Sequence, residues 1–357
     1  MDGRPSMTQP VLKALILAGG GGTRFWPLSR VRRPKQLLAL DSETSLIERT
    51  ARRLEPLVDS ADIWVCTTRA LAEQIRRELP KVPAEQILAE PEGRDTAPAI
   101  AWSLDRMDAG GDVVAVLPAD HRVADESSFR TSLAAAASVA AREDRVMTLG
   151  VVPRWPEPGF GYLELGDVED ESLGLRRVAA FKEKPDLETA KVYLDSGKHL
   201  WNAGIFVFRG GRLLDLIAEH APAIDEGLRA IREQPEQLAT HYSRLPKLSI
   251  DFAVMEKCDD LATLPLDCGW SDLGSWAALA ELLPADSAGN ATRGRVAALE
   301  ARDNLLVADQ GTIAVIGVSD LVVVRTADAV LVVGKDQAQK VKELVEMLGR
   351  GDFADLL

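Results

Sequence analysis

The chain has 357 residues, 46% of them hydrophobic, and its 55 acidic and 42 basic side chains give a formal net charge of −13. That length holds one large domain and a small one in an ordinary soluble protein, and the acidic balance argues against nonspecific nucleic-acid binding. No apolar run is long enough to span a membrane, and the three scattered cysteines, Cys66, Cys258 and Cys268, show no metal-ligand pattern and read as reduced residues of a cytoplasmic protein.

Residues 1–11 lack the charged-then-apolar order of a signal peptide and read as a disordered leader. The apolar run Leu15-Ile16-Leu17-Ala18 then predicts a buried strand leading into Gly19-Gly20-Gly21-Gly22, a turn whose backbone can approach a ligand closely. From Arg24 to Lys35 the cations Arg24, Arg30, Arg32, Arg33 and Lys35 follow with no acid among them. A polyphosphate held by backbone N–H groups and cationic side chains accounts for this local reversal of sign; a flexible turn beside a basic surface is the alternative. The stretch is not a Walker A loop, which needs a lysine directly after its last glycine. Nor is it a dinucleotide fingerprint, whose third glycine would fall about at Arg24.

Helical spacing over 45–54 and 70–79 brackets the strand Ile63-Trp64-Val65-Cys66-Thr67. This alternation predicts an α/β fold with a Rossmann-like, mixed but mostly parallel sheet, helices on both faces, and ligands at the carboxyl ends of the strands. Ile87-Leu88-Ala89-Glu90 is a strand ending in a Pro/Gly turn, with Asp95 or Thr96 as the cap of the next helix and Pro98 in its first turn. Val113–Leu117 is a continuous apolar strand that delivers Asp120, a carboxylate placed to bind magnesium or simply to form a turn. An Ala-rich helix over 127–142 and a strand at 146–151 follow, then the turn around Gly159 and Gly161. Lys182-Glu183-Lys184 reads as a solvated edge, and 201–208 as an aromatic-rich strand carrying Asn202. Ser249 is placed to cap a short helix, and the turn Gly269-Trp270-Ser271-Asp272-Leu273-Gly274 presents a second carboxylate. Beyond 284 come closely spaced valine-rich strands with the near-repeats Ser319-Asp320-Leu321 and Ala327-Asp328-Ala329. They predict stacked coils, as in a short left-handed β-helix, or a small β domain, then a final helix capped by Asp336 that buries Val341, Leu344, Val345 and Leu348 and ends at Gly349. This last part carries no recognisable chemistry and reads as a stabilising or assembly element.

Several of these segments carry a resemblance. Leu17-Ala18-Gly19-Gly20-Gly21-Gly22-Thr23-Arg24-Phe25-Trp26-Pro27-Leu28-Ser29-Arg30 with Pro34-Lys35-Gln36-Leu37-Leu38 resembles the signature of sugar-1-phosphate nucleotidylyltransferases, most closely the mannose-1-phosphate guanylyltransferases, also called GDP-mannose pyrophosphorylases. Glu90 to Ala101, Pro118-Ala119-Asp120-His121, Phe181-Lys182-Glu183-Lys184-Pro185, Ser249 to Lys257 and Gly269 to Trp276 resemble further segments of the same family. The resemblance implies the nucleotide-diphospho-sugar transferase fold over 12–284 and a small C-terminal β domain over 285–357. It implies that Ala18, Gly19, Gly20, Gly22 and Thr23 wrap a nucleoside triphosphate, that Glu90, Gly93 and Arg94 line the base pocket, and that Arg24 and Lys35 neutralise the reacting phosphates. Gly161, Glu183 and Asn202 would contact the sugar, and Lys184 its phosphate. Asp120 and Asp272 would share Mg²⁺, a pairing that spacing alone does not give. Asp95 stands where the family usually has Asn, Lys182 where it has an apolar residue, and Phe252 where a Tyr is frequent.

The expected activity is transfer of GMP from GTP to mannose 1-phosphate, giving GDP-mannose and pyrophosphate. The alternatives are another base or hexose, or a non-catalytic regulatory subunit that binds nucleotide sugars. No nucleic-acid or membrane partner is expected, and the C-terminal part is the candidate interface for a homodimer. Bifunctional relatives carry a further cupin-type isomerase domain, for which this chain is expected to be too short.

Overall fold

Parallel strands covered on both faces read as unbroken apolar runs, and the run before the glycines is such a strand, with Ala14, Leu15 and Ile16 fully buried. The computed structural model describes residues 11–350 and 353–357; the expected leader lies outside them apart from Val11. Two compact units form. One comprises the chain through Gly19, Ala51–Ala119 and Val123–Trp270, and the other comprises Gly20–Thr50, Asp120–Arg122 and Ser271–Leu357. These units cut across the boundary expected at 284/285, because the glycine-rich segment and the Asp120 turn are grouped with the C-terminal strands.

The first unit is built on nine strands: β1 (Leu12–Leu17), β2 (Ile63–Thr68), β3 (Ile87–Glu90), β4 (Val113–Pro118), β5 (Met147–Val151), β6 (Gly161–Asp170), β7 (Leu175–Glu183), β8 (His199–Arg209) and β9 (Ala262–Pro265). They lie in the order β3-β2-β1-β4-β8-β5-β9-β7-β6. β3, β2, β1 and β4 run parallel, β8 runs antiparallel to β4 and β5, and β5 pairs β9 in parallel. This is the mixed, Rossmann-like α/β sheet that the alternating pattern predicts, but it is not mostly parallel: beyond β4 only β5 and β9 pair in parallel, because β6, β7 and β8 return antiparallel. The helices Thr96–Arg106, Gly210–His220 and Pro222–Glu233 contribute apolar faces to its main core, which includes Ile100, Trp102, Leu213, Ile217 and Leu228. At the carboxyl end of the sheet, Ala18 N–H donates to Cys66 O at 2.8 Å and Ala119 N–H to Leu17 O at 3.0 Å. The sheet thereby holds Ala18 and Ala119 at the strand ends.

In the second unit β10 (Ala291–Leu299), β11 (Leu305–Ile316) and β12 (Leu321–Arg325) pair in parallel, and β13 (Val330–Gly334) closes the sheet antiparallel to β12. Parallel neighbours joined by such short turns form stacked coils, and two buried amides tie them together. Asn304 Nδ2 donates to Asn290 Oδ1 at 2.9 Å and to Val318 O at 3.1 Å, while Asn304 Oδ1 accepts from Leu321 N–H at 2.9 Å. The final helix is shorter than its apolar spacing predicts. Lys335–Lys340 forms a 3₁₀ segment and the α-helix runs Val341–Leu348, with Val341 and Leu348 buried, Leu344 and Val345 partly so, and Gly349 at its end. Asp336 does not cap it, since its carboxylate accepts from Gln337 Nε2 at 2.7 Å.

Replacing Asn304, which is fully buried, by alanine leaves the Leu321 N–H and the Val318 carbonyl without their partner. Because a buried polar group left unpaired costs on the order of 1–3 kcal/mol, Asn304→Ala is expected to lower stability by about 2–3 kcal/mol, read from the denaturant midpoint.

Candidate active site

The centre of the second unit's site is Lys35. Its side chain is 8% exposed, and its ammonium lies 2.8 Å from Asp120 Oδ2 and donates to the Asp272 carbonyl at 2.5 Å. A buried ammonium persists only when paired in this way. Burial alone would raise the Asp120 pKa, but Lys35, with His121, more than reverses this and holds the carboxyl below its ordinary range. A backbone bridge, Arg122 N–H to Ser271 O at 2.8 Å and Ser271 N–H to Arg122 O at 3.0 Å, sets the Asp120 turn beside the Asp272 turn. Asp272 Oδ1 accepts from Gly274 N–H at 3.1 Å, and a Cβ on Gly274 would meet the carboxylate at 2.8 Å.

These groups line a cavity of about 340 Å³ together with Gly22, Thr23, Arg24, His121 and Lys342. Among the four glycines, Gly22 is the one that must be glycine: its φ is +56°, and a Cβ there would overlap Cβ of Lys35. Gly20 has open space around it. The aromatic residues of the signature fasten the loop. Phe25 packs edge-on to Trp276 at 4.9 Å, Trp276 Nε1 donates to Trp26 O at 3.0 Å, and Trp26 Nε1 donates to Leu356 O at 2.9 Å.

The first unit carries two further clusters. Ala18 is buried and Gly19 exposed, with Glu90 beyond it. Glu90 is 4% exposed and accepts from Tyr242 Oη at 2.5 Å. Burial pushes its carboxyl up to about 6, against the opposing pull of hydrogen bonds from Tyr242 and Cys66. Burial, reinforced by Glu90, pushes the Cys66 thiol up as well. Arg94 donates to the Ser243 carbonyl and pairs with Glu92 at 2.5 Å, while Gly93 is exposed with open space around it. Asp95 caps the next helix, as expected, accepting from Thr96 N–H at 2.8 Å.

In the second cluster, the pairing of β6 with β7 sets Gly161 opposite Glu183. A Cβ on Gly161 would meet Glu183 Oε2 at 2.5 Å. Lys184, at φ +47°, turns back to place its ammonium 2.5 Å from Glu183 Oε1. Asn202 accepts from Gly204 N–H at 3.0 Å and donates to Asp251 Oδ1 at 3.1 Å. Burial, then the Glu183 charge, raises the Asp251 carboxyl to about 7. Lys182 is exposed, as alternation along the strand predicts.

Residues 13–289 match the family model described as nucleotidyl transferase, and residues 294–348 match a MannoseP isomerase/GMP-like β-helix domain, in agreement with the stacked coils. The chain is 38% identical to the mannose-1-phosphate guanylyltransferase of Escherichia coli (strain K12), over 96% of this chain and 74% of that protein. The chain belongs to the mannose-1-phosphate guanylyltransferase family. It is also 40% identical to the xanthan biosynthesis protein XanB of Xanthomonas campestris pv. campestris (strain B100), over 94% of this chain and 72% of that one. Among solved structures, the Thermus thermophilus protein called mannose-1-phosphate geranyltransferase aligns with a TM-score of 0.87 at 37% identity, covering 94% of this chain and 99% of its own. The chain is therefore an enzyme of a nucleotidyltransferase family.

Three residues of these clusters escape the sequence reading. Asp251 lies in the stretch read as a helix cap; Ser249 does cap that helix, accepting from Phe252 N–H at 3.4 Å, yet Asp251 reaches Asn202. Tyr242 is an isolated tyrosine in a helical stretch, and Lys342 looks like one solvated charge on an amphipathic helix. Of the three, only Asp251 leaves a signal, as an acid within a family-like motif.

Because the folded pKa of Asp251 is raised to about 7 from 3.8, the unfolded chain releases this proton first. The group's contribution to stability is full below about pH 4 and is lost as pH rises through about 7. Asp251→Asn keeps the acceptor for Asn202 and removes the titration. Its stability advantage over the parent is expected to grow from pH 4 to pH 8, which denaturant melts at the two ends check.

Proposed function

We propose that this chain transfers GMP from GTP to mannose 1-phosphate, forming GDP-mannose and pyrophosphate. The observation that carries the reading is the Lys35–Asp120–Asp272 constellation in a polar cavity that also receives Arg24. An oxygen of the sugar phosphate attacks the α-phosphorus in line as pyrophosphate departs. That oxygen is already ionised at neutral pH, so no general base is required and His121 has no proton to remove. Catalysis is chiefly positioning and charge stabilisation.

The donor chemistry fits a magnesium ion. Asp120 and Asp272 offer hard carboxylate oxygens at one cavity, and a Mg²⁺ ion takes its remaining ligands from phosphates and water. Bound there, the ion would draw off negative charge from the reacting phosphates.

The chain's own groups take the other parts. Lys35 uses two N–H donors on Asp120 and the Asp272 carbonyl and directs its third toward phosphate. Arg24 meets charge developing on the leaving pyrophosphate. Backbone of Ala18, Gly19, Gly20, Gly22 and Thr23 wraps the triphosphate, with Glu90, Gly93 and Arg94 assigned to the base. Gly161, Glu183 and Asn202 hold the sugar and Lys184 its phosphate, with the 62% exposure of Lys184 leaving it able to change partners. A cytoplasmic setting agrees with three unpaired cysteines, and no helix among the described residues is long and apolar enough to cross a membrane. Exposed Val330 and Val332 on the edge strand β13 support a homodimer through the C-terminal sheet.

Pyrophosphate release should be rapid with GTP and mannose 1-phosphate when magnesium is supplied. Release with another nucleotide or hexose phosphate instead would overturn the substrate assignment, and no release with any pair would point to a regulatory subunit. Arg24→Ala is expected to lower kcat/KM by about 10²–10³, the usual loss for one electrostatic donor at a transition state, without lowering the melting temperature. Gly22→Ala should lower both activity and stability, because the strained left-handed residue and the displaced Lys35 share one cause.

A further inference from the structure

The final α-helix does more than close the stacked coils. Its buried residues Val341 and Leu348 seat it in the core that also holds Phe25 and Trp276, and it packs against the segment Thr23–Phe25. That seating brings Lys342 to the wall of the cavity formed by Arg24, Lys35, Asp120 and Asp272. We propose that Lys342 is a further phosphate ligand, its ammonium binding the β- and γ-phosphates of the nucleotide and the pyrophosphate that leaves. The proposal rests on the reading of the cavity given above.

Charge favours it. Lys35 is paired with Asp120 at 2.8 Å and Asp272 adds a second carboxylate to the same cavity, so a polyphosphate there needs cations besides Lys35, which Arg24 and Lys342 supply. Lys342 also gives up little to reach a ligand. Among the described residues its ion-pair partner is Glu346, one turn further along the helix, with Nζ and Oε1 4.0 Å apart and both side chains more than half exposed. Such an exposed pair contributes little to stability. A lysine on a flexible four-carbon stem with three donors can leave it for a doubly charged phosphate. Lys342 should therefore distinguish ligands by their β- and γ-phosphates and not by guanine or sugar.

Calorimetric titration of the full chain with magnesium and no sugar phosphate tests this, using GTP, inorganic pyrophosphate and GMP as probes. Lys342→Ala is expected to weaken GTP and pyrophosphate about tenfold, at the low end for a charge-assisted hydrogen bond because the site is open to water, and to leave GMP within a factor of about two. In turnover it should raise KM for GTP and leave KM for mannose 1-phosphate unchanged, with Lys342→Arg recovering most of the loss. Wild-type affinity for pyrophosphate in Lys342→Ala, or equal losses for GTP and GMP, would overturn the proposal. A parent protein that binds neither GTP nor pyrophosphate would overturn the reading of the cavity itself and this assignment with it. Lys342 is exposed, so the variant should melt with the parent; if it does not, Lys342→Gln read with the same three probes decides the matter.

Discussion

A single buried ammonium organises the second unit. Lys35 is fixed by a carboxylate that follows β4, by a carbonyl in the turn after Trp270, and by a glycine that leaves room for its stem. None of these is near it in the chain apart from Gly22. The arrangement is sustained by the two-way backbone bridge between Arg122 and Ser271 and by the Trp26–Trp276 contact, so the glycine-rich loop is stabilised by residues whose role is packing. The consequence is that the C-terminal coils and the signature loop share one hydrophobic core, containing Phe25, Leu38, Trp276, Leu305 and Val324. A stretch that looks like an appended stabilising domain is thereby part of what shapes the cavity.

In the first unit the electrostatic pattern is different. Glu90 and Asp251 are carboxyls whose ionised forms are disfavoured by burial, and each is met by a neutral donor, Tyr242 or Asn202. Carboxyls held this way keep a hydrogen-bonding edge fixed in orientation, which suits recognition of hydroxyls and ring nitrogens better than neutralisation of phosphate. Phosphate charge falls instead to the cations Arg24, Lys35 and Lys184 under the proposed function.

Much of the fold is legible in the sequence because its signals are local. The continuous apolar run of β4 and the strand-helix alternation up to Arg106 follow directly from burial on both faces of a parallel sheet. The Asp95 and Ser249 caps follow from side-chain chemistry at the adjoining residues. The grouping of Asp120 with Asp272 is not local: a backbone bridge makes it, and backbone bridges leave no residue-type signature, so only a resemblance could pair the two acids. The start of the last helix is misplaced by its apolar spacing because a 3₁₀ turn and an α-turn bury similar positions over one turn, as Ala338 and Val341 do here. Lys342 is invisible in the sequence because nothing in an isolated amphipathic helix says which of its charges faces a cavity. Four consecutive glycines look equivalent in the sequence, whereas backbone strain and close approach single out Gly22.

The claim on which the rest turns is that Asp120 and Asp272 hold one divalent ion beside Lys35. The most direct measurement is an anomalous difference map from crystals grown with Mn²⁺ in place of Mg²⁺ and a non-hydrolysable GTP analogue. A manganese peak bonded to oxygens of both carboxylates and to the nucleotide phosphates is expected. A peak bonded to neither acid, with the nucleotide bound and ordered, would contradict that claim.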